Sequence, residues 1–474
     1  MFAMLSSTPL PIELLFHIIA QLCPEKDKAT LSAFSLTSST FRTDAQKRLF
    51  SFLKLTANFR WNLIQTEIYC EASKASRRFL TTITQSPHLA RLVKSLELYI
   101  SLADSAADHL SFERWLMLSG VNSLPMKEES TQLIQILRQL NRLQVFSVTG
   151  LHTLDWHDFT PEFKHVVIKT LKTNPLRSIS LPALTNFRIA SLYRSTHLKH
   201  LSLRDISSSE IHTNQLRDYK PCSVAPKTLT LDVEFNGRAV VNRLLTFTQN
   251  PLCPLTLSRL THLTIVSDSI SLIPNLLLPC ANTLTHLTFT VPRKAKYTYS
   301  ATPPTPDEIA AICKPIDLGS LPNLRKLSIT KCRVHCKQLP SAPNGGDATQ
   351  IDVGVEITKT SFPWVSAVLE TLSGRSASSC PPLVNIEIHV CLIDVTAQSL
   401  QTCIPWAVLM RPLIDLRREK GIQHRIFFSK GTHDSGSKDA ALRKFNYMSL
   451  LEILDSDPHL RHLHARSPTT WFSS

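Results

Sequence analysis

The sequence predicts an α/β chain in two parts. Residues 1–55 should form a three-helix unit, and residues 56–474 an irregular array of strands and helices whose strands make a parallel sheet. Three observations predict this. Apolar residues recur at helical intervals between Leu10 and Phe50. Beyond them a short apolar phrase returns many times, spaced as a strand is. Between copies of the phrase lie stretches with helical periodicity, as parallel strands require of their connections.

The length and composition fit a folded chain of two to four domains or of one repeat array. There are 474 residues, too many for one compact core, with 43% hydrophobic and 19% charged residues. Glycines number 11 and prolines 29, so φ > 0 loops that cradle phosphates are scarce and stiff turns are common. Lys and Arg total 52 against 37 Asp and Glu, a net charge of +15 that favours acidic partners. That charge is spread along the chain, which points to a generally basic surface rather than a dedicated nucleic-acid groove. The 11 cysteines are scattered, and Cys23, Cys253, Cys280 and Cys391 sit in apolar stretches, as reduced core thiols do. The N-terminus lacks the basic and apolar regions of a signal peptide, and no stretch is apolar for long enough to span a membrane. The expectation is a cytoplasmic or nuclear protein that is not secreted.

In the first part, Pro9 and Pro11 suit a helix start, and Leu14, Leu15, Ile18, Ile19 and Leu22 follow at helical spacing. Cys23-Pro24 ends that helix. Asp27 can cap a second one, with Leu31, Phe34 and Leu36 apolar. Thr37-Ser38-Ser39-Thr40 is good cap and poor helix, and it separates a third helix carrying Phe41, Ala45, Leu49 and Phe50. Three short helices cannot bury every apolar face among themselves, and leftover faces imply a partner.

These residues resemble an F-box. Leu10-Pro11-Ile12-Glu13-Leu14-Leu15, then Ser35-Leu36, Phe41-Arg42 and Leu49-Phe50, follow that family's order, and they are most similar to the large F-box families of fungi. The resemblance implies a helical module that binds a Skp1-type adaptor, which in turn links it to a cullin–RING ligase. Position by position it marks Leu10, Pro11, Leu14, Leu15, Ile18, Leu36 and Phe41 as adaptor contacts. The chain departs from the family at Thr37-Ser38-Ser39, where a cysteine and a basic residue are usual, and at Phe41, where tryptophan is common. The other reading is that this segment is a helical cap on the remainder.

The recurring phrase is an apolar residue, two others, an apolar residue, one other, and an apolar residue. Its copies lead with Val93, Leu143, Leu176, Leu198, Leu260, Leu284, Leu324, Leu383 and Leu460, with weaker ones at Pro226 and Gln423. Leu260-Thr-His-Leu-Thr-Ile returns as Leu284-Thr-His-Leu-Thr-Phe. The phrase resembles the strand segment of a leucine-rich repeat, in which an Asn or Cys follows; Asp268, Cys332 and Cys391 take that place. The resemblance implies a solenoid with a parallel sheet, its helices including Gln132 to Leu143 and Phe159 to Leu171. Spacing between leads is irregular, from 22 residues (Leu176 to Leu198) to 59 (Leu324 to Leu383), so inserts are expected, chiefly near 292–306 and 338–350. The competing reading is an ordinary α/β sheet whose buried strands begin with leucine.

Several motifs suggest chemistry and fail on spacing. Gly431 to Lys438 approaches a phosphate-binding loop, but its lysine is one position late, about 100° round a helix. His433, Asp434 and Ser435 are consecutive, whereas a catalytic relay converges from separate elements. Cys332, His335 and Cys336, and likewise His459, His462 and His464, lack a second ligand pair. No catalytic, metal or cofactor site is expected, and the chain is read as a non-enzyme. The function expected is a substrate-receptor subunit of an SCF-type ubiquitin ligase, with an unidentified protein target held on the solenoid. Basic and histidine residues at the strand starts (Lys199, His200, His262, His286, Arg325 and Lys326) are the candidate target contacts. The alternative is a basic repeat scaffold that binds nucleic acid or an acidic protein without a ligase role.

Overall fold

The computed structural model describes residues 11–62, 67–102, 126–128, 131–150, 154–187, 189–192, 194–204, 224–233, 253, 255–267, 273–290, 297–298, 316–338, 355–360, 362–372, 385–393 and 406–431, together with 244 and 248. The chain divides into two compact units, one of residues 1–226 and 247–256, the other of 227–246 and 257–474.

The first unit opens with three helices, α1 (Ile12–Gln21), α2 (Lys28–Thr37) and α3 (Ser39–Leu49). Pro11 starts α1, its carbonyl accepting the Leu14 N–H at 3.0 Å. Ser38 caps α3, its hydroxyl accepting the Thr40 N–H at 3.2 Å, so the Thr-Ser-Ser-Thr run divides the helices as its capping chemistry predicts. Asp27 stands at the start of α2, but its carboxylate accepts the Cys23 N–H at 2.7 Å instead of a helix N–H. It closes the α1–α2 turn rather than capping the helix. The Phe41 ring meets Phe16 edge-on at 5.3 Å and Phe34 at 6.0 Å, joining all three helices. Arg48 donates from Nε to the Leu22 carbonyl at 2.7 Å and pins α3 to the end of α1.

The sheet of this unit follows at once. Its strands are β1 (Phe52–Asn62), β2 (Glu67–Ala72), β3 (Ser95–Leu102), β4 (Met126–Glu128), β5 (Val145–Gly150), β7 (Ser178–Leu181) and β9 (His200–Arg204); β6 (Leu154–Asp155) and β8 (Leu184–Thr185) form a separate two-stranded pair. β1, β3, β5, β7 and β9 lie side by side in parallel. Helices Lys74–Gln85, Thr131–Gln139 and Pro161–Thr173 and a 3-10 turn at Ile189–Leu192 supply the crossovers. Thr160 caps the third helix by accepting the Phe163 N–H, with Pro161 at its first position. Leu96, Phe146, Ile179 and Leu201 stand level across neighbouring strands and are buried.

The second unit holds β10 (Thr228–Val233), β11 (His262–Ser267), β12 (His286–Thr290), β13 (Tyr297–Thr298), β14 (Lys326–Gln338), β15 (Val355–Thr360), β16 (Asn385–Ile393) and β17 (Gln423–Gly431). The parallel order is β10-β11-β12-β14-β16-β17. Leu263, Leu287, Leu327 and Ile386 make one buried row and Ile265, Phe289, Ile329 and Ile388 the next, with Trp364 edge-on to Phe289 at 5.7 Å. Helices Phe362–Glu370 and Trp406–Lys420 lie between the later strands in sequence. Gly421, at φ 67°, ends the second of these in the left-handed conformation that glycine accepts without strain.

The protein is therefore a mixed α/β chain with a long parallel run of strands in each unit. In every described copy the last two apolar residues of the phrase lie on a strand, and the two Leu-Thr-His-Leu copies stack in register, His262 opposite His286 and Leu263 opposite Leu287. Four features differ from expectation. Phe50, Leu53 and Leu55 spell an unread copy of the phrase on β1, so strand structure begins at Phe52, inside the residues assigned to the helical part. β2 and β15 run antiparallel to β1 and β14. The copy read at Gln423 is displaced by two residues, because His424 pairs level with Ile386 and takes the inward position. Cys332 and Cys391 lie within β14 and β16 rather than at a turn leaving the strand, with a register irregularity between Ile329 and Cys332. The segment 292–306 contributes β13, while 339–350, Asp268 and the copy at Leu460 lie outside the described residues.

Candidate functional site

The helical unit presents an apolar surface. Leu15, Ile19 and Leu22 turn inward on α1, with Ile19 buried, while Leu14 and Ile18, one helical turn apart, turn outward. Among the described residues the exposed large apolar side chains are Ile12 (44%), Leu14 (49%), Ile18 (41%), Leu36 (78%) and Leu278. Four of these five lie on α1 and α2. The stripe read from the sequence is thus two stripes about 100° apart, one for the core and one left for solvent. Of the expected adaptor contacts, Pro11, Leu14, Ile18 and Leu36 are exposed, Leu15 and Phe41 are half-buried, and Leu10 lies outside the described residues. Phe41 is occupied by Phe16 and Phe34, so its first role is to hold the helices together. Ile12 is the exposed residue that the motif did not mark.

The second unit brings His262, His286, Arg325 and Lys326 together. His262, His286 and Lys326 begin β11, β12 and β14 and stand level in adjacent strands, on the side opposite the buried leucines. The two imidazoles stack with centroids 4.1 Å apart. Thr261 donates its hydroxyl proton to the Lys227 carbonyl at 3.0 Å, and Thr285 donates to the Thr261 carbonyl at 2.9 Å. Each threonine hydroxyl also lies 2.9 Å from the Nδ1 of the histidine that follows it. Burial lowers the pKa of His286, and His262, Lys326 and Arg325 lower it further. Burial also lowers that of His389, with Lys326 adding and Glu387 opposing. Lys326 forms an ion pair with Glu387 at 2.9 Å, so part of its charge is spent within the sheet.

Lys199 and His200 belong to the first unit. They stand with Lys94 and Arg177, which sequence reading missed although each directly follows a phrase lead, as Lys199 and Arg325 do. Two residues beyond the row of His200, Glu97 accepts from the Thr149 hydroxyl at 2.6 Å and pairs with Lys54 at 3.0 Å. Burial works to raise its pKa, but these two partners hold it below the usual carboxylate value.

Burial pushes the Cys280 thiol up to about 12 and that of Cys332 higher still, so neither supplies a thiolate at neutral pH. Among the described residues no group of three or more His, Cys, Asp or Glu could hold a metal ion, and no helix is long and apolar enough to cross a membrane. The loop from Thr432 to Lys438 and the histidines at 459, 462 and 464 lie outside the described residues. No protein-family model matches the chain, and no curated protein matches it.

Proposed function

We propose that the chain is the substrate-receptor subunit of an SCF-type ubiquitin ligase: an F-box docks a Skp1-type adaptor, and a degenerate leucine-rich-repeat solenoid holds a protein target. The observation that carries this reading is the placement of exposed apolar residues. Ile12, Leu14, Ile18 and Leu36 face solvent in a bundle too small to cover them, and three of the four fall on motif positions of the F-box resemblance. A folded chain keeps such side chains outside at a cost in solvation unless a partner covers them. The repeat reading is supported by phrase copies that stack in parallel register with helical crossovers between them. On this reading ubiquitin transfer belongs to the partners, and the chain contributes proximity, raising the effective concentration of its target.

The test is co-expression with a Skp1-type adaptor followed by affinity purification. Wild-type protein should retain the adaptor in stoichiometric amount, and deletion of residues 12–49 should abolish retention. A wild-type chain that is folded, monodisperse and free of adaptor would leave the other reading, a basic scaffold for a polyanion, as the one that accounts for the net charge of +15.

A further inference from the structure

We propose that the leading edge of the first unit's sheet is a docking ridge for an acidic, extended segment of a captured protein. The naming of the occupant as a captured protein rests on the receptor reading above; the ridge itself stands on register and charge.

The ridge is one continuous rung of backbone. The Ser51 carbonyl accepts the N–H groups of both Lys94 and Ser95, at 3.0 and 2.9 Å. The Lys94 carbonyl accepts those of Gln144 and Val145, at 2.7 and 3.0 Å. The Gln144 carbonyl accepts those of Arg177 and Ser178, at 2.7 and 3.0 Å, and the Arg177 carbonyl those of Lys199 and His200, at 2.8 and 3.0 Å. This repeated pairing fixes Lys94, Gln144, Arg177 and Lys199 side by side at the point where each strand begins. Lys94, Arg177 and Lys199 are exposed.

The turns that feed this rung add to its charge. Residues 86–95, 140–145, 174–178 and 194–200 bring Arg91, Lys94, Arg142, Arg177 and Lys199 to the rung, and they contain not one Asp or Glu. Glu97 lies further along β3 and is held by Lys54 and Thr149. With no carboxylate in these segments, the exposed Lys94, Arg177 and Lys199 stand side by side and act together on what approaches. In the second unit, by contrast, the turn before Arg325 contains Asp317.

Dimensions and composition select the occupant. From Lys94 to Lys199 the rung crosses three inter-strand spacings, about 14 Å, which an extended peptide covers in roughly four or five residues. The backbone groups of the rung already pair with one another, so recognition goes through side chains and reads charge density rather than adding a strand. The four segments contain no Phe, Tyr or Trp, the platforms on which a single-stranded nucleic acid stacks its bases. A duplex meeting a ridge this short would place only a few phosphates on it, which is weak binding.

The experiment uses the full chain and three fluorescent probes of matched length in anisotropy titrations: a Glu/Ser peptide, a Lys/Ser peptide and a short DNA duplex. The expected result is saturable binding of the Glu/Ser peptide that weakens with salt, with the Lys/Ser peptide unbound and the duplex weaker. Combining Lys94→Glu, Arg177→Glu and Lys199→Glu should weaken that binding about tenfold or more. The neutral set Lys94→Gln, Arg177→Gln and Lys199→Gln should weaken it less, and Arg418→Glu, on the exposed side of the Trp406–Lys420 helix in the second unit, should leave it unchanged. Circular dichroism identifies any variant that fails to fold, in which case the neutral set decides. Absence of Glu/Ser binding, tighter binding of the duplex, or equal binding by folded ridge variants would overturn the proposal. Adaptor retention in the same preparations separates the two readings: retained adaptor without Glu/Ser binding removes the ridge alone, whereas Glu/Ser binding without adaptor keeps the ridge and removes the receptor.

Discussion

His262 and His286, 24 residues apart in the chain, lie face to face with ring centroids 4.1 Å apart and planes 10° from parallel. The threonine before each histidine helps fix the ring, its hydroxyl lying within hydrogen-bond distance of both the preceding strand's carbonyl and Nδ1. Adjacent parallel strands then set the spacing between the rings.

His286 makes stability depend on pH. His286 has His262 on one side and Lys326 and Arg325 on the other, and its folded pKa lies below the ordinary 6.5. His389 is lowered as well. The unfolded chain therefore takes up these protons first, so stability is full above 6.5 and declines as pH falls below it. Urea unfolding midpoints should drop between neutral pH and pH values below that point, and His286→Gln should flatten the drop. A midpoint that rises on acidification in that range would contradict this assignment.

Leu327 and Leu36 give opposite expectations for the same chemical change. Leu327 is wholly buried between β12 and β16, so Leu327→Ala should cost about 2–5 kcal/mol in denaturant unfolding. Leu36 is 78% exposed, and Leu36→Ala should change stability by no more than about 0.5 kcal/mol. Equal costs at the two positions would mean that Leu36 is packed in solution.

Asn174 is a buried polar clamp between successive strand starts. Its Oδ1 accepts the Leu143 N–H at 2.8 Å, and its Nδ2 donates to the carbonyls of Leu140 and Thr170. Asn174→Ala leaves a buried N–H without its acceptor and should cost about 1–3 kcal/mol. Asn174→Asp keeps the acceptor and loses the donors, so hydrogen exchange at the Leu143 amide should accelerate in the alanine variant and far less in the aspartate one.

How much of this was legible in the sequence follows from what each signal measures. The phrase reports burial on one face of a strand, and so it located the parallel strands. It missed β2 and β15, which pair antiparallel and lack the phrase. It misplaced β17 because His424 holds a position that the other phrase strands give to Leu, Ile or Phe. In the helical unit periodicity found the apolar residues but not their division into inward and outward sets, since Leu14 and Leu15 both fit a broad stripe. The basic residues at the strand starts were marked only where histidine or a Lys/Arg pair drew attention. Lys94 and Arg177 occupy the same rung as Lys199, a kinship that depends on register and becomes visible only once the strands are aligned.

Leu14 and Ile18 provide the most direct measurement of the central claim. Both are exposed, so Leu14→Asp with Ile18→Asp should leave the unfolding midpoint of the chain nearly unchanged. Binding to a purified Skp1-type adaptor, followed by calorimetry, should be readily measurable for the wild type and lost in the double variant. Wild-type binding that persists undiminished in the folded double variant, or no binding by the wild type, would contradict the account.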